Sequence, residues 1–225
     1  MTRRLSVALI FGLAGAALLI GLGVWQMQRL AWKEAILAEI AAKIGAEPVA
    51  LPHAPVTETE DLRYLPVTVS GRFTNEALRV LVSRKQQGAG VRVIEVLEAP
   101  DGRRVMVDRG FLPDVRKDEP LSAGAITVTG NLHWPDEVDS FTPPPDAKAG
   151  LWFARDVPAM AAALKTEPVL VVAASDTGDG IQPMPADTSG IPNDHLGYAI
   201  QWFGLATVWL GMTVYLLWRI RRRTA

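Results

Sequence analysis

LSVALIFGLAGAALLIGLGVW, residues 5–25, runs for 21 positions without a charge. A helix rising about 1.5 Å per residue over that length matches a hydrocarbon core about 30 Å thick. Its counterpart near the other end, LGYAIQWFGLATVWLGMTVYLLW (196–218), is uncharged over 23 positions. These two runs decide the architecture. They predict an α+β protein in which two transmembrane helices, at 5–27 and 195–218, flank one extracytoplasmic domain at 28–194. Short tails remain at 1–4 and 219–225. A cleaved signal peptide is the competing reading of the first run, and Thr2-Arg3-Arg4 would suit one. But the only inviting small-residue site, Ala14-Gly15-Ala16, has apolar sequence on both sides, and signal h-regions are shorter. The run is read as an uncleaved span.

Charge sets the expected orientation. Arg3 and Arg4 precede the first run, and Arg219, Arg221, Arg222 and Arg223 follow the second. Cations beside a span tend to stay in the cytoplasm, so both termini are expected there and the domain outside. Arg29 and Lys33 weigh weakly the other way. The remaining 17 of the 23 Lys and Arg share the middle with all 24 Asp and Glu, so the middle is acidic between basic ends. A net charge of -1 points to no nucleic-acid partner. With only Met1 to Arg4 before the first span, no transit peptide precedes it, and a bacterial inner membrane with a periplasmic domain is expected. Trp25, Trp32, Trp202 and Trp218 fall near the expected interfaces, where indole rings prefer to sit.

Small residues mark expected packing faces. Ala8, Gly12 and Ala16 repeat every four residues in the first span, and Gly197, Gly204 and Gly211 every seven in the second. Such faces let helices approach closely, whether the partner is the other span or another protein. Gln201 lies within the second span and should face a helix, a cofactor or water.

The middle is β-rich. AWKEAILAEIAAKIG (31–45) has apolar residues at helical spacing, with Gly45 and Pro48 as its stop. PVTVSGRF (66–73) and ALRVLVSR (77–84) read as two strands with a hairpin turn at Thr74-Asn75-Glu76. VRVIEVLEA (91–99) and RRVMVDRGFLP (103–113) are joined by Pro100-Asp101-Gly102, a strong turn signal. AITVTGNLHW (125–134) and PVLVVAA (168–174) complete the strands, and RDVPAMAAALK (155–165) reads as a short helix. The sheet is expected to be mostly antiparallel. TGDGIQPMPADTSGIPND (177–194) reads as a surface loop.

No phosphate-binding loop, HExxH or GxSxG occurs, and the carboxylates have no catalytic spacing. Asp176 to Gly180 (DTGDG) lacks the remaining ligands of a Ca²⁺ loop and reads as a turn. With no cysteine there is no disulfide, thiolate metal site or covalent heme attachment. A non-enzymatic role is expected. Any imidazole site must draw on His53, His133 or His195.

GLGVWQMQRLAWKEAIL (21–37) and NDHLGYAIQWFGLA (193–206) straddle the outer ends of the two spans. Together they resemble the surfeit-locus protein 1 family of cytochrome c oxidase assembly factors. The family pattern G-x-W-Q-x-x-R-x-x-W-K falls on Gly23, Trp25, Gln26, Arg29, Trp32 and Lys33. The pattern N-x-H-L-x-Y-x-x-x-W falls on Asn193, His195, Leu196, Tyr198 and Trp202. PVTVSGRF, VMVDRGFLP and LWFARDVPAM resemble family landmarks too, while Asp194 and Gln201 depart from the common residues. The resemblance implies an assembly factor that binds heme a and assists its insertion into the catalytic subunit of the oxidase. Heme a synthase is a further partner it suggests, and His195 the candidate axial ligand.

A neutral imidazole is a good axial ligand for heme iron. Ala199, Trp202, Ala206 and Trp209 follow His195 on roughly one helical face, which would suit a planar macrocycle. Trp25, Gln26, Tyr198 and Trp202 are candidates for the heme-binding wall, and Arg29, with Lys33, for its propionates. Arg109 is a further cation, more suited to pairing with an acidic neighbour. No second iron ligand is evident. The alternative reading is a cofactor-free membrane scaffold for oxidase subunits. An enzyme acting on heme or on a membrane substrate would need an acid, base or metal site that the sequence does not offer.

Overall fold

The computed structural model describes residues 3–146 and 148–224. Met1 and Thr2 of the predicted tail at 1–4, Ala147, and Ala225 of the tail at 219–225 lie outside the described residues. The chain divides into two compact units. One comprises the chain up to Glu39 and from Thr188 onward, and the other comprises Ile40–Asp187.

The first unit is built on two helices, α1 (Arg3–Ile44) and α3 (His195–Thr224). Both are long and apolar enough to cross a membrane, with mean hydropathy of 2.5 and 1.4 in their best windows. The predicted helix at 31–45 is no separate element. QMQRLAWK (26–33) contains no glycine or proline to break the ladder, so span and helix form one run of 42 residues. Within this unit Gly12 lies against Thr213, Gly15 against Trp209 and Gly23 against Phe203, so the helices run antiparallel. A Cβ on any of these glycines would collide with the facing side chain.

The second unit holds a seven-stranded sheet: β1 (Val49–Ala50), β2 (Pro66–Arg84), β3 (Gly88–Glu98), β4 (Arg104–Pro113), β5 (Ala125–Leu132), β6 (Leu151–Trp152) and β7 (Leu170–Ala173). A single 3₁₀ turn (Asp114–Arg116) follows β4, and α2 (Val157–Leu164) precedes β7. The sheet is mixed. Its long ladders are antiparallel, as expected, but β1 and β6 pair in parallel with β2, and β7 with β4.

The predicted hairpin at 74–76 does not form. β2 is one strand of 19 residues that bulges between Phe73 and Ala77. Asn75 takes a left-handed conformation (φ 66°), and its N–H donates to the Glu95 carboxylate at 3.1 Å. A turn-forming residue thus bends the strand instead of ending it. The actual turn lies at 85–87, where Gln86 has φ 73° and Arg84 pairs with Gly88.

The bulge lets β2 serve two neighbours. Residues 66–72 pair with β5, and most of the rest of β2 pairs with β3. β3 pairs with β4, β4 with β7, and β7 with β5, so five strands close a circuit in the manner of a small Greek-key barrel. Val67, Phe73, Ile94, Leu97, Met106, Leu132 and Leu170 fill its core, with Met160 and Leu164 of α2 packed on them. Asp156 caps α2, accepting from Ala159 N–H at 3.0 Å.

A second cluster, Val91, Val93, Leu112 and Ile181, packs on the opposite side of β3 and β4. Ile181 belongs to the segment read from sequence as a surface loop. That segment is stitched down, since Gln182 exchanges backbone hydrogen bonds with Phe111 at 2.8 and 2.9 Å. Gly110 (φ 116°) makes this approach possible, because a Cβ there would strike the Gln182 carbonyl.

Candidate functional site

α1 buries Gln26 to 9% exposure, and α3 begins at His195. The two side chains meet, with His195 Nδ1 2.7 Å from Gln26 Oε1. An amide oxygen can only accept, so with that oxygen facing the ring the contact suits an Nδ1–H donor on His195. Two residues before His195 in the sequence, the Asn193 side-chain oxygen is buried without a hydrogen-bond partner among the described residues.

Of the other residues singled out from sequence, Trp25 and Tyr198 are exposed at 50% and 51%, and Trp202 is half-buried. Tyr198 and Trp202 lie three and seven residues after His195, on its side of α3. Arg29 is exposed and stacks over Trp32, 4.4 Å from the ring centroid. The structure therefore joins His195 to Gln26 by a direct bond and leaves Trp25, Arg29 and Tyr198 on the outer surface of the unit.

The face below His195 is occupied. Ala199 and Ala206 are 1% and 3% exposed, and the Trp209 indole N–H donates to the Gly12 carbonyl at 2.9 Å. α1 therefore covers the part of α3 around Ala199 and Ala206 that was expected to receive a flat ring. The first predicted small-residue face does meet α3, with Gly12 and Ala16 buried and Ala8 half-buried. The second does not meet α1. Gly197, Gly204 and Gly211 have open space where a Cβ would stand, and Gln201 is exposed on the same side of the helix.

The second unit holds buried charges that sequence reasoning only partly anticipated. Arg109 is 1% exposed and pairs with Glu95 at 2.5 Å and Asp179 at 2.8 Å. It also donates to the Thr177 hydroxyl and carbonyl, and its guanidinium lies 4.5 Å from the Phe73 ring centroid. The DTGDG turn thus delivers Asp179 to an arginine. A second network runs from Arg92 through Asp108 to Arg155 and Glu137. Burial opposes ionisation of Glu137, but the Arg155 guanidinium outweighs it and holds the carboxyl below its usual range. The available signal was the placement of Glu95, Asp108 and Arg109 inside otherwise apolar strands. Each charge has an opposite partner, and each network ties strands or loops together.

His53 is exposed. His133 stacks on Tyr64 with ring centroids 5.0 Å apart, and its Nδ1 has no partner. Burial, aided by Arg155 and Arg63, pushes its pKa down to about 4, so it is neutral near pH 7. Among the described residues no group of three or more His, Asp or Glu is placed to hold a metal ion. What the first unit does offer is one imidazole whose Nδ1 is anchored by an amide on the facing helix. That donor chemistry fits one axial position of a heme iron.

A profile of the SURF1 family matches residues 13–207, which include both Gln26 and His195. The surfeit locus protein 1 of Rattus norvegicus is 28% identical over 221 residues, covering 88% of this chain and 71% of that protein. A SURF1-like protein of Monosiga brevicollis is 30% identical over 215 residues, covering 87% and 82%. The surfeit locus protein 1 of Homo sapiens is 28% identical over 209 residues, covering 83% and 69%.

Proposed function

This chain belongs to the SURF1 family, and from that premise we propose that it is a non-enzymatic assembly factor for cytochrome c oxidase. It binds heme a transiently and assists its insertion into the catalytic subunit, with heme a synthase as the donor. It sits in a bacterial inner membrane with both termini cytoplasmic and its barrel in the periplasm. The single observation that supports the heme reading is the hydrogen bond from His195 to Gln26, which leaves Nε2 free to ligate. The heme would supply the iron. The protein's own residues would do the rest: His195 would ligate the iron, Tyr198 and Trp202 would offer aromatic surface on its side of α3, and Arg29 would offer a cation for a propionate.

The test is an optical spectrum of the detergent-purified protein, co-expressed with the heme a pathway, beside His195→Ala. A heme a band that the variant loses supports the carrier and its ligand. A band that survives the substitution moves the ligand elsewhere, and no band in either removes the carrier reading.

The second reading, a cofactor-free scaffold for oxidase subunits, is favoured by one observation. The Gly197, Gly204 and Gly211 face stays open, with Gln201 beside it. A small face carrying an amide suits another transmembrane helix. Loss of co-purification of the oxidase catalytic subunit in Gly204→Leu, with the heme band unchanged, would assign that face to the partner.

A further inference from the structure

We propose that Gln26 is a positioning residue for His195. Its amide oxygen fixes the Nδ1–H tautomer and so selects Nε2 as the nitrogen that meets a metal. The proposal rests on the heme reading above for its purpose, but the tautomer is a property of this chain alone.

Three observations carry it. Gln26 is 9% exposed inside an apolar helix, where an amide without a partner is costly. Its amide oxygen meets the ring of His195, 2.7 Å from Oε1 and 169 residues away in sequence. His195 opens α3, so its backbone is fixed by the helix while its ring is fixed by the other helix of the same unit. A free neutral imidazole in water favours a hydrogen on Nε2, which would block that nitrogen as a ligand. Accepting at Nδ1–H reverses the preference and aims the lone pair of Nε2 away from α1. Metal-binding histidines commonly have their second nitrogen held this way by a carboxylate or carbonyl, and loss of the holder costs about tenfold to a hundredfold in affinity.

The experiment has two arms on the full-length protein. In the first, ¹⁵N-histidine NMR of the heme-free protein in detergent reads the His195 ring, assigned by loss of its signals in His195→Ala. The expected result is a protonated Nδ1 and an unprotonated Nε2 in the parent. Gln26→Met, close in volume, should return the ring to the Nε2–H form, and Gln26→Glu should restore Nδ1–H. A parent ring protonated on Nε2 overturns the proposal, whatever the heme result. In the second arm, ferric protoporphyrin is titrated into the same three proteins. Affinity should fall about tenfold to a hundredfold in Gln26→Met and recover in Gln26→Glu. Equal affinity in parent and Gln26→Met, with the tautomer changed, removes the positioning role. Failure of the parent to bind any heme, with Nδ1–H observed, sinks the heme reading and leaves the tautomer assignment standing.

Discussion

Trp209 donates its indole N–H to the carbonyl oxygen of Gly12, 2.9 Å away on the other apolar helix. The same indole lies over Gly15, so the absence of a side chain at that position is what admits it. Hydrogen bonds between membrane helices contribute about 0.6 kcal/mol on average, and Trp209→Phe should cost roughly that. Gly12→Leu should cost about 1–3 kcal/mol, because the new side chain must displace Thr213. Gly204→Leu brings the same gain in helix propensity without a clash and is the control. Reversible unfolding in detergent ranks the three, and equal stability of the two leucine variants would refute the packing described.

His133 makes the second unit acid-sensitive in a defined window. Its pKa is about 4 in the folded chain against 6.5 in a solvated one. The unfolded chain therefore binds the proton first as pH falls. The stabilisation from keeping His133 neutral is complete above pH 6.5 and is lost progressively toward pH 4. At about 1.36 kcal/mol per unit its ceiling is about 3 kcal/mol. His133→Phe keeps the ring against Tyr64 and should flatten denaturation midpoints between those limits. An unchanged slope in the variant would exclude His133 as the cause.

Arg109 should be dispensable only together with its partner. Arg109→Met strands the Glu95 carboxylate in the core, a loss of about 3–5 kcal/mol. Adding Glu95→Gln removes the stranded charge while keeping an acceptor for the Asn75 N–H. Chemical denaturation of the double variant should recover most of the loss. If the double is as unstable as the single, Asp179 and Thr177 hold more of the energy than Glu95 does.

The absence of cysteine makes orientation simple to test. Val115 is 92% exposed in the second unit, and Arg223 lies at the end of α3. In intact spheroplasts a membrane-impermeant maleimide should label Val115→Cys and spare Arg223→Cys until the cells are lysed. The reverse pattern would invert the proposed topology.

Both long apolar helices were legible because extended uncharged runs of that length stand out in a sequence, as a bilayer would demand of them. The 99–103 turn was legible because Gly102 supplies the positive φ (83°) that the bend needs. β2 was misread because Asn75 is as fit for a bulge as for a hairpin, and only the Glu95 side chain, from a different strand, decides between them. β1 and β6 are two residues each, too short for any period to show. At the site, the motifs placed Gln26 and His195 at one depth, but their bond depends on how two helices turn toward each other. Spacing found the Gly197, Gly204 and Gly211 face without revealing that α1 uses Ala199 and Ala206 instead.

The divided pairing of β2 also orders events in time. The 77–98 hairpin needs only its own residues, so it can form as soon as that stretch is available. Residues 66–72 must wait for β5, and β4 must wait for β7, which ends at Ala173. Until then β5 and β4 have no neighbour at the closing seam. The nascent chain therefore carries open strand edges from the completion of β4 until β7 has emerged, long after α1 has. Late closure of this kind leaves strand edges open to mispairing until β7 is in place.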